Sequence, residues 1–100
     1  MKIVAITSCA TGIAHSYMAA EALKKTAKKR GFQIKVEIQG ALGIENELSS
    51  SDISSADKII FANDVGITGL QRFDKVKDKI IRTSPHKVIK NPDFVFDEIK

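Results

Sequence analysis

Ser8-Cys9-Ala10-Thr11-Gly12-Ile13-Ala14-His15-Ser16 joins a short apolar run to a long amphipathic one. Upstream, Lys2-Ile3-Val4-Ala5-Ile6-Thr7 is β-branched and bounded by small polar residues, which predicts a buried strand. Downstream, His15 to about Arg30 predicts a helix. At 3.6 residues per turn Ala19, Ala20, Ala22, Leu23 and Ala27 share one arc, and Glu21, Lys24, Lys25, Lys28 and Lys29 the other. The only cysteine of the chain therefore falls where a strand hands over to a helix N-terminus. The first turn of a helix has unpaired N–H groups and a partial positive charge, and both favour an anion.

Ala10, Thr11, Gly12 and Ala14 are small enough for the loop amides to converge on one point, and Gly12 can supply a positive φ. The anion is the thiolate, a phosphate, or a phosphoryl group carried on the sulfur. An ordinary thiol is only about 3 per cent thiolate at pH 7, and helix N-termini are among the settings that raise that fraction and create a nucleophile. The competing reading is an inert thiol buried as a small hydrophobe at a strand end.

The run Cys9-Ala10-Thr11-Gly12-Ile13-Ala14-His15-Ser16-Tyr17-Met18-Ala19-Ala20-Glu21-Ala22-Leu23 closely resembles the phosphocysteine loop of fructose-type enzyme IIB domains of the bacterial sugar phosphotransferase system. That family typically reads Cys-Pro-Thr-Gly-Ile-Ala-His-Thr before a small-residue helix. The resemblance continues through Val36-Glu37-Ile38-Gln39-Gly40, Ala56-Asp57-Lys58-Ile59-Ile60-Phe61-Ala62 and Arg72-Phe73, and so covers nearly the whole chain. It implies that Cys9 accepts a phosphoryl group from a phosphohistidine of enzyme IIA. Cys9 then passes it to a sugar of the fructose class held by the membrane-embedded enzyme IIC. It also implies a cytoplasmic domain at the inner face of the membrane, a phosphate cradle of amides from Ala10 to Ser16, and no cofactor. Two positions depart from the pattern: Ala10 replaces a proline, which removes a fixed φ and adds an N–H, and Ser16 replaces a threonine but keeps the hydroxyl.

The loop also resembles that of low-molecular-weight tyrosine phosphatases, which place Cys, five residues, Arg, then Ser or Thr after the first strand. Here the same register gives Cys9, five residues, His15 and Ser16. The missing arginine matters, because its fork clamps a transferring phosphoryl group bidentately and imidazole has no such geometry. A carrier must hold phosphocysteine without hastening attack by water, so its absence suits a carrier better than a hydrolase. A non-catalytic anion-binding α/β module is the third reading.

One hundred residues, 43% of them hydrophobic, suit a single domain. No apolar run is long enough to span a membrane, no secretory h-region follows Met1, and one cysteine cannot close an internal disulfide. The formal charge of +4 could mark a nucleic-acid partner. However, the lysines mostly occupy the solvated arc of the long helix, and no binding signature for nucleic acid accompanies them, so none is expected. A metal is not expected either, since one cysteine and two histidines far apart in sequence fail on ligand count and spacing.

After Gly31, placed to close the helix, Phe32 to Ile38 alternates apolar and polar. This predicts a strand with a solvent-leaning face bearing Gln33, Lys35 and Glu37, at the sheet edge. Strand, helix, strand makes a right-handed βαβ unit with parallel strands. Gln39-Gly40-Ala41-Leu42-Gly43 is then a loop at the same carboxyl end of the sheet as Cys9, where ligands collect in open α/β folds. Gln39 either donates to a phosphoryl oxygen there or belongs to a plain turn.

Ser51 or Asp52 caps a short helix to Ala56, and Lys58 to Ala62 is a central strand. Asp64 follows as the acidic group nearest the Cys9 loop, a general acid or base or part of an Asx turn. Leu70 to Phe73 is a helical turn and Asp78 to Arg82 a weak fourth strand. Ser84-Pro85 and Asn91-Pro92 start helices to Lys90 and Ile99. His86 should lie exposed with nothing nearby to complete a site. His15 either hydrogen-bonds the thiolate or phosphoryl group or simply starts the helix. The expected fold is an open, mainly parallel, Rossmann-like four-stranded α/β sheet, with helices on both faces and the phosphate loop after the first strand.

Overall fold

Strand β1 (Lys2–Ser8) forms the axis of the computed structural model, which describes residues 1–9, 13–40 and 43–98, with Ile13 described by its backbone alone. On one side β1 pairs in parallel with β2 (Gln33–Gly40) and on the other with β4 (Lys58–Asn63). Beyond β4 lies parallel β5 (Ile80–Thr83). The βαβ reading is thus borne out, with α1 (Ile13–Lys29) as the crossover from β1 to β2.

Among the described residues the sheet has five strands, not four, in the order β3-β2-β1-β4-β5. The additional strand, β3 (Gly43–Glu45), lies antiparallel on β2, with Gly40 opposite Gly43 and Gln39 opposite Ile44. It has only three residues, all exposed, and so carries no hydrophobic period by which to read it.

Alternation along β1 and β4 divides the core between the two faces. Ile3, Ala5, Ile60 and Ala62 point to one side, where Ala19, Ala20, Leu23 and Ala27 of α1 cover them. Val88 of α3 (Pro85–Lys90) and Val95 and Phe96 of α4 (Pro92–Asp97) complete that layer. Val4, Ile6, Ile59 and Phe61 point to the other side, against Leu48, Ile53 of α2 (Ser50–Ser55) and Phe73 of the 3-10 turn Leu70–Phe73. The Phe61 and Phe73 rings meet edge to face at 4.9 Å. Helix α4 is pinned to the end of α1 by Arg30, whose Nη2 donates to Asp97 Oδ1 at 2.8 Å and Asp93 Oδ1 at 3.2 Å.

Two expectations are corrected here. Helix α2 is capped by Ser49, not Ser51 or Asp52: Ser49 Oγ accepts from Asp52 N while Asp52 Oδ2 accepts from Ser49 N, a reciprocal capping box. Strand β2 lies at the sheet edge only over Gln33–Glu37, since β3 covers Ile38–Gly40, and of its polar face Gln33 is exposed and Lys35 partly so, whereas Glu37 turns away from solvent. Glu37 is 0% exposed. Its carboxylate accepts from Arg72 Nη1 at 2.8 Å and Nη2 at 3.0 Å, from Leu48 N at 2.8 Å and from Gln39 Nε2 at 2.7 Å. Burial alone pushes the Glu37 carboxyl up, but these donors together outweigh it and hold the group below the usual carboxylate range. A buried charge at a position that alternation reads as solvent-facing survives because it is paired and fully hydrogen-bonded.

Candidate functional site

Every parallel strand ends on the side of the sheet where Cys9 emerges from β1, so several chain segments converge there. Ser8, the last residue of β1, lies between Gln39 of β2 and Asn63 of β4 in the sheet register. Asp64, just past β4, donates its amide to the Ser8 carbonyl at 3.1 Å. The local turn contact comes from its neighbour, Asn63 Nδ2 donating to the Val65 carbonyl at 2.7 Å. Asp64 can therefore present its side chain to the thiol.

Cys9 is 9% exposed. Its Sγ lies 3.4 Å from Asp64 Oδ2, with the thiol donating, and 3.7 Å from His15 Nδ1. Asp64, expected as the acidic group nearest the Cys9 loop, thus lies beside the sulfur, and the His15 ring lies beside it too. Ala14 is exposed and Ser16 is fully buried; the Ser16 hydroxyl has no hydrogen-bond partner among the described residues. Ile13 opens α1. Ala10, Thr11 and Gly12, expected to complete the cradle, lie outside the described residues.

Gln39 does different work from that expected of it. Its Nε2 donates to Glu37 Oε2 at 2.7 Å and to the Thr68 carbonyl at 2.9 Å, and its Oε1 accepts from Thr68 N at 2.9 Å. Both amide protons are engaged, so Gln39 fastens the segment after Asp64 to β2 instead of presenting a donor to a ligand.

Sequence reasoning missed His86. It is exposed, as expected, but it is not isolated: its ring lies edge-on to that of His15, with centroids 4.9 Å apart. Ligand atoms of Cys9, His15 and His86 all fall within 4.8 Å of one another. The cause is topological. Strand β5 runs parallel to β4, with Thr83 opposite Ala62, so it delivers the chain to the same end of the sheet as Cys9. Ser84 then caps α3, its Oγ accepting from Lys87 N, and Pro85 opens the helix, which sets His86 in the first turn against α1. No local signal could have shown this, because the two histidines are 71 residues apart in the chain and meet only through the sheet.

A family model described as PTS system, lactose/cellobiose-specific IIB subunit, matches residues 4–98. The PTS system fructose-like EIIB component 2 of Escherichia coli K12 is 43% identical over 99 residues, covering 99% of this chain and 92% of that protein. The chain belongs to the fructose-type enzyme IIB family. A fructose-like PTS system EIIBC component of the same organism is 44% identical, with the likeness covering 99% of this chain but 20% of that longer protein. Among solved structures, a crystal structure of a predicted fructose-specific IIB from Escherichia coli superposes with a TM-score of 0.90 at 35% identity, covering 98% of this chain and 85% of that one. The sugars in these names differ between the family model and the relatives, and it is the individual relatives that carry fructose. Among the described residues of this IIB chain no helix is long and apolar enough to cross a membrane.

Proposed function

We propose that this chain is the phosphoryl carrier of a fructose-type sugar phosphotransferase system, with Cys9 as the acceptor. The observation that supports this reading is the placement of the only cysteine at the β1 terminus, against both His15 Nδ1 and Asp64 Oδ2. In the forward step Cys9 sulfur attacks the phosphorus of a phosphohistidine on enzyme IIA. The S–P bond forms, the N–P bond breaks, and the thiol proton passes to Asp64, toward which the thiol already donates. The neutral carboxyl so formed no longer repels the phosphoryl oxygens. His15 and the amides of the loop through Ser16 hold the group in line, so that catalysis is positioning and electrostatic stabilisation. In the return step a hydroxyl of a fructose-class sugar held by membrane enzyme IIC attacks phosphorus and the S–P bond breaks; the leaving sulfur takes back the proton held by Asp64, and the carboxylate so freed accepts the hydroxyl proton. The relative in which this unit is fused to a further component, named EIIBC, supports pairing with that membrane partner at the inner face of the membrane.

The test is intact mass after incubation with phosphoenolpyruvate, enzyme I, the histidine phosphocarrier protein and a fructose-type enzyme IIA. The expected result is one phosphoryl adduct, lost when a membrane fraction containing enzyme IIC and fructose is added. Cys9→Ser should keep the fold, by circular dichroism, and transfer nothing. Absence of any adduct on the parent chain would overturn the reading, and turnover of a phosphate ester in its place would establish the hydrolase.

A further inference from the structure

The geometry points to a zinc site made by Cys9, His15 and His86, with the Asp64 carboxylate beside the sulfur, at which a Zn²⁺ ion and a phosphoryl group compete for the same sulfur. Zinc bonds of about 2.3 Å to sulfur and about 2.0–2.1 Å to nitrogen or oxygen place neighbouring ligand atoms of a tetrahedron roughly 3.6 Å apart. Cys9 Sγ lies 3.7 Å from His15 Nδ1 and 3.4 Å from Asp64 Oδ2, close to that edge length in both directions. The third ligand comes from a different element: a His86 ring nitrogen lies within 4.8 Å of both the sulfur and a ring nitrogen of His15. That gap exceeds a tetrahedral edge by at most about 1.2 Å, within reach of side-chain rotation by an exposed histidine.

The ligand chemistry fits a borderline-soft divalent ion. One thiolate and two neutral imidazoles, with the Asp64 carboxylate beside the sulfur, carry two negative charges in total, which a Zn²⁺ ion balances. Cys9 is nearly buried while His86 and Asp64 are exposed, so the ion has an approach from solvent. On binding, the Cys9 thiol gives its proton to solvent and the Zn–S bond takes its place. A sulfur bonded to zinc cannot attack phosphorus, and a sulfur bonded to phosphorus is no longer a thiolate ligand. Free zinc thereby sets the fraction of chains able to accept a phosphoryl group.

The experiment is titration of the reduced chain with zinc chloride against a chromophoric chelator, followed by the same titration with cobalt(II). We expect one zinc per chain and, with cobalt, a thiolate-to-metal absorption band that Cys9→Ser abolishes. His86→Ala should weaken zinc by at least about tenfold, since even residues behind the ligands are worth that much. It leaves the phosphoryl adduct intact, whereas Lys87→Ala should change neither. Zinc-loaded chain should take up no phosphoryl adduct until a chelator is added. Unchanged affinity in His86→Ala, undiminished binding in Cys9→Ser, or less than one zinc per parent chain would each overturn the assignment. The titration uses no phosphoryl donor, so it can fail while the carrier reading stands, and the reverse.

Discussion

Glu37 shows how a single residue can be misread from its neighbours and still be explained by them. Its place in an alternating strand announces a solvent face, and nothing within the strand reveals that Arg72, 35 positions later, closes a two-pronged ion pair on it. Arg72 is committed in turn, with Nε donating to the Gly69 carbonyl at 2.8 Å and Nη1 to the Leu48 carbonyl at 3.1 Å. Removing one partner of such a pair leaves the other charge stranded, at a cost of about 3 kcal/mol. Glu37→Ala should therefore lower the melting temperature by on the order of 15 °C in a domain of this size. Thermal melting followed by circular dichroism checks this, and a loss of only a few degrees would mean that water reaches Arg72 and replaces the pair. Cys9 is the opposite case. Its place at the strand end beside His15 is legible because the strand, the small-residue loop and the helix are contiguous in sequence, whereas His86 reaches it only through the sheet.

At the scale of elements, the strands and helices that carry their own signal read well. The apolar period of α1, the Pro-marked starts of α3 and α4 and the apolar run of β4 all lie within a residue or two of their expected positions. What escaped was whatever depends on a distant partner: the three residues of β3, and the approach of α3 to α1 that brings His86 to His15. The turn that carries Arg72 offers a prediction of its own. It starts at Gly69, which has φ +77°, and a Cβ there would lie 2.7 Å from Arg72 Nε and 3.0 Å from Nη2. A guanidinium at the end of a free side chain would step aside, but this one is fixed by Glu37. Gly69→Ala should cost about 1 kcal/mol for the left-handed backbone alone, plus part of the Glu37 pair. A double-mutant cycle with Glu37→Ala, read by urea denaturation, should show a coupling of roughly 1 kcal/mol. Simple additivity would show that Arg72 relocates without loosening its grip.

The whole molecule should be sensitive to acid. The Glu37 carboxyl is held below its usual range, and so is that of Asp52, by Lys35 donating to it at 2.8 Å and then by the amide and hydroxyl of Ser49. A carboxyl depressed in the folded state stabilises that state fully above its unfolded value. The contribution is lost as pH falls through the folded value. With ordinary values of 4.5 for Glu37 and 3.8 for Asp52, melting temperature should hold steady down to about pH 5 and fall below it. The formal charge of +4 grows as carboxylates protonate and steepens the fall. A pH series of melting curves tests this, and Glu37→Ala should flatten the profile. A parent profile with no fall down to pH 3 would contradict both depressed carboxyls.

The short antiparallel strand β3 has a consequence for solubility. Without it, β2 would offer an eight-residue row of unpaired backbone groups, a ready template for another chain. With it, β3 covers Ile38–Gly40, so the open part of β2 shrinks to Gln33–Glu37, which carries Lys35, while the four-residue edge at β5 follows Lys77 and Lys79 and carries Arg82. The aggregation-prone strands IVAITS and IIFAN lie inside the sheet, and a carrier that must meet successive partners at Cys9 presents its own copies with a shortened, charged edge on which to stack.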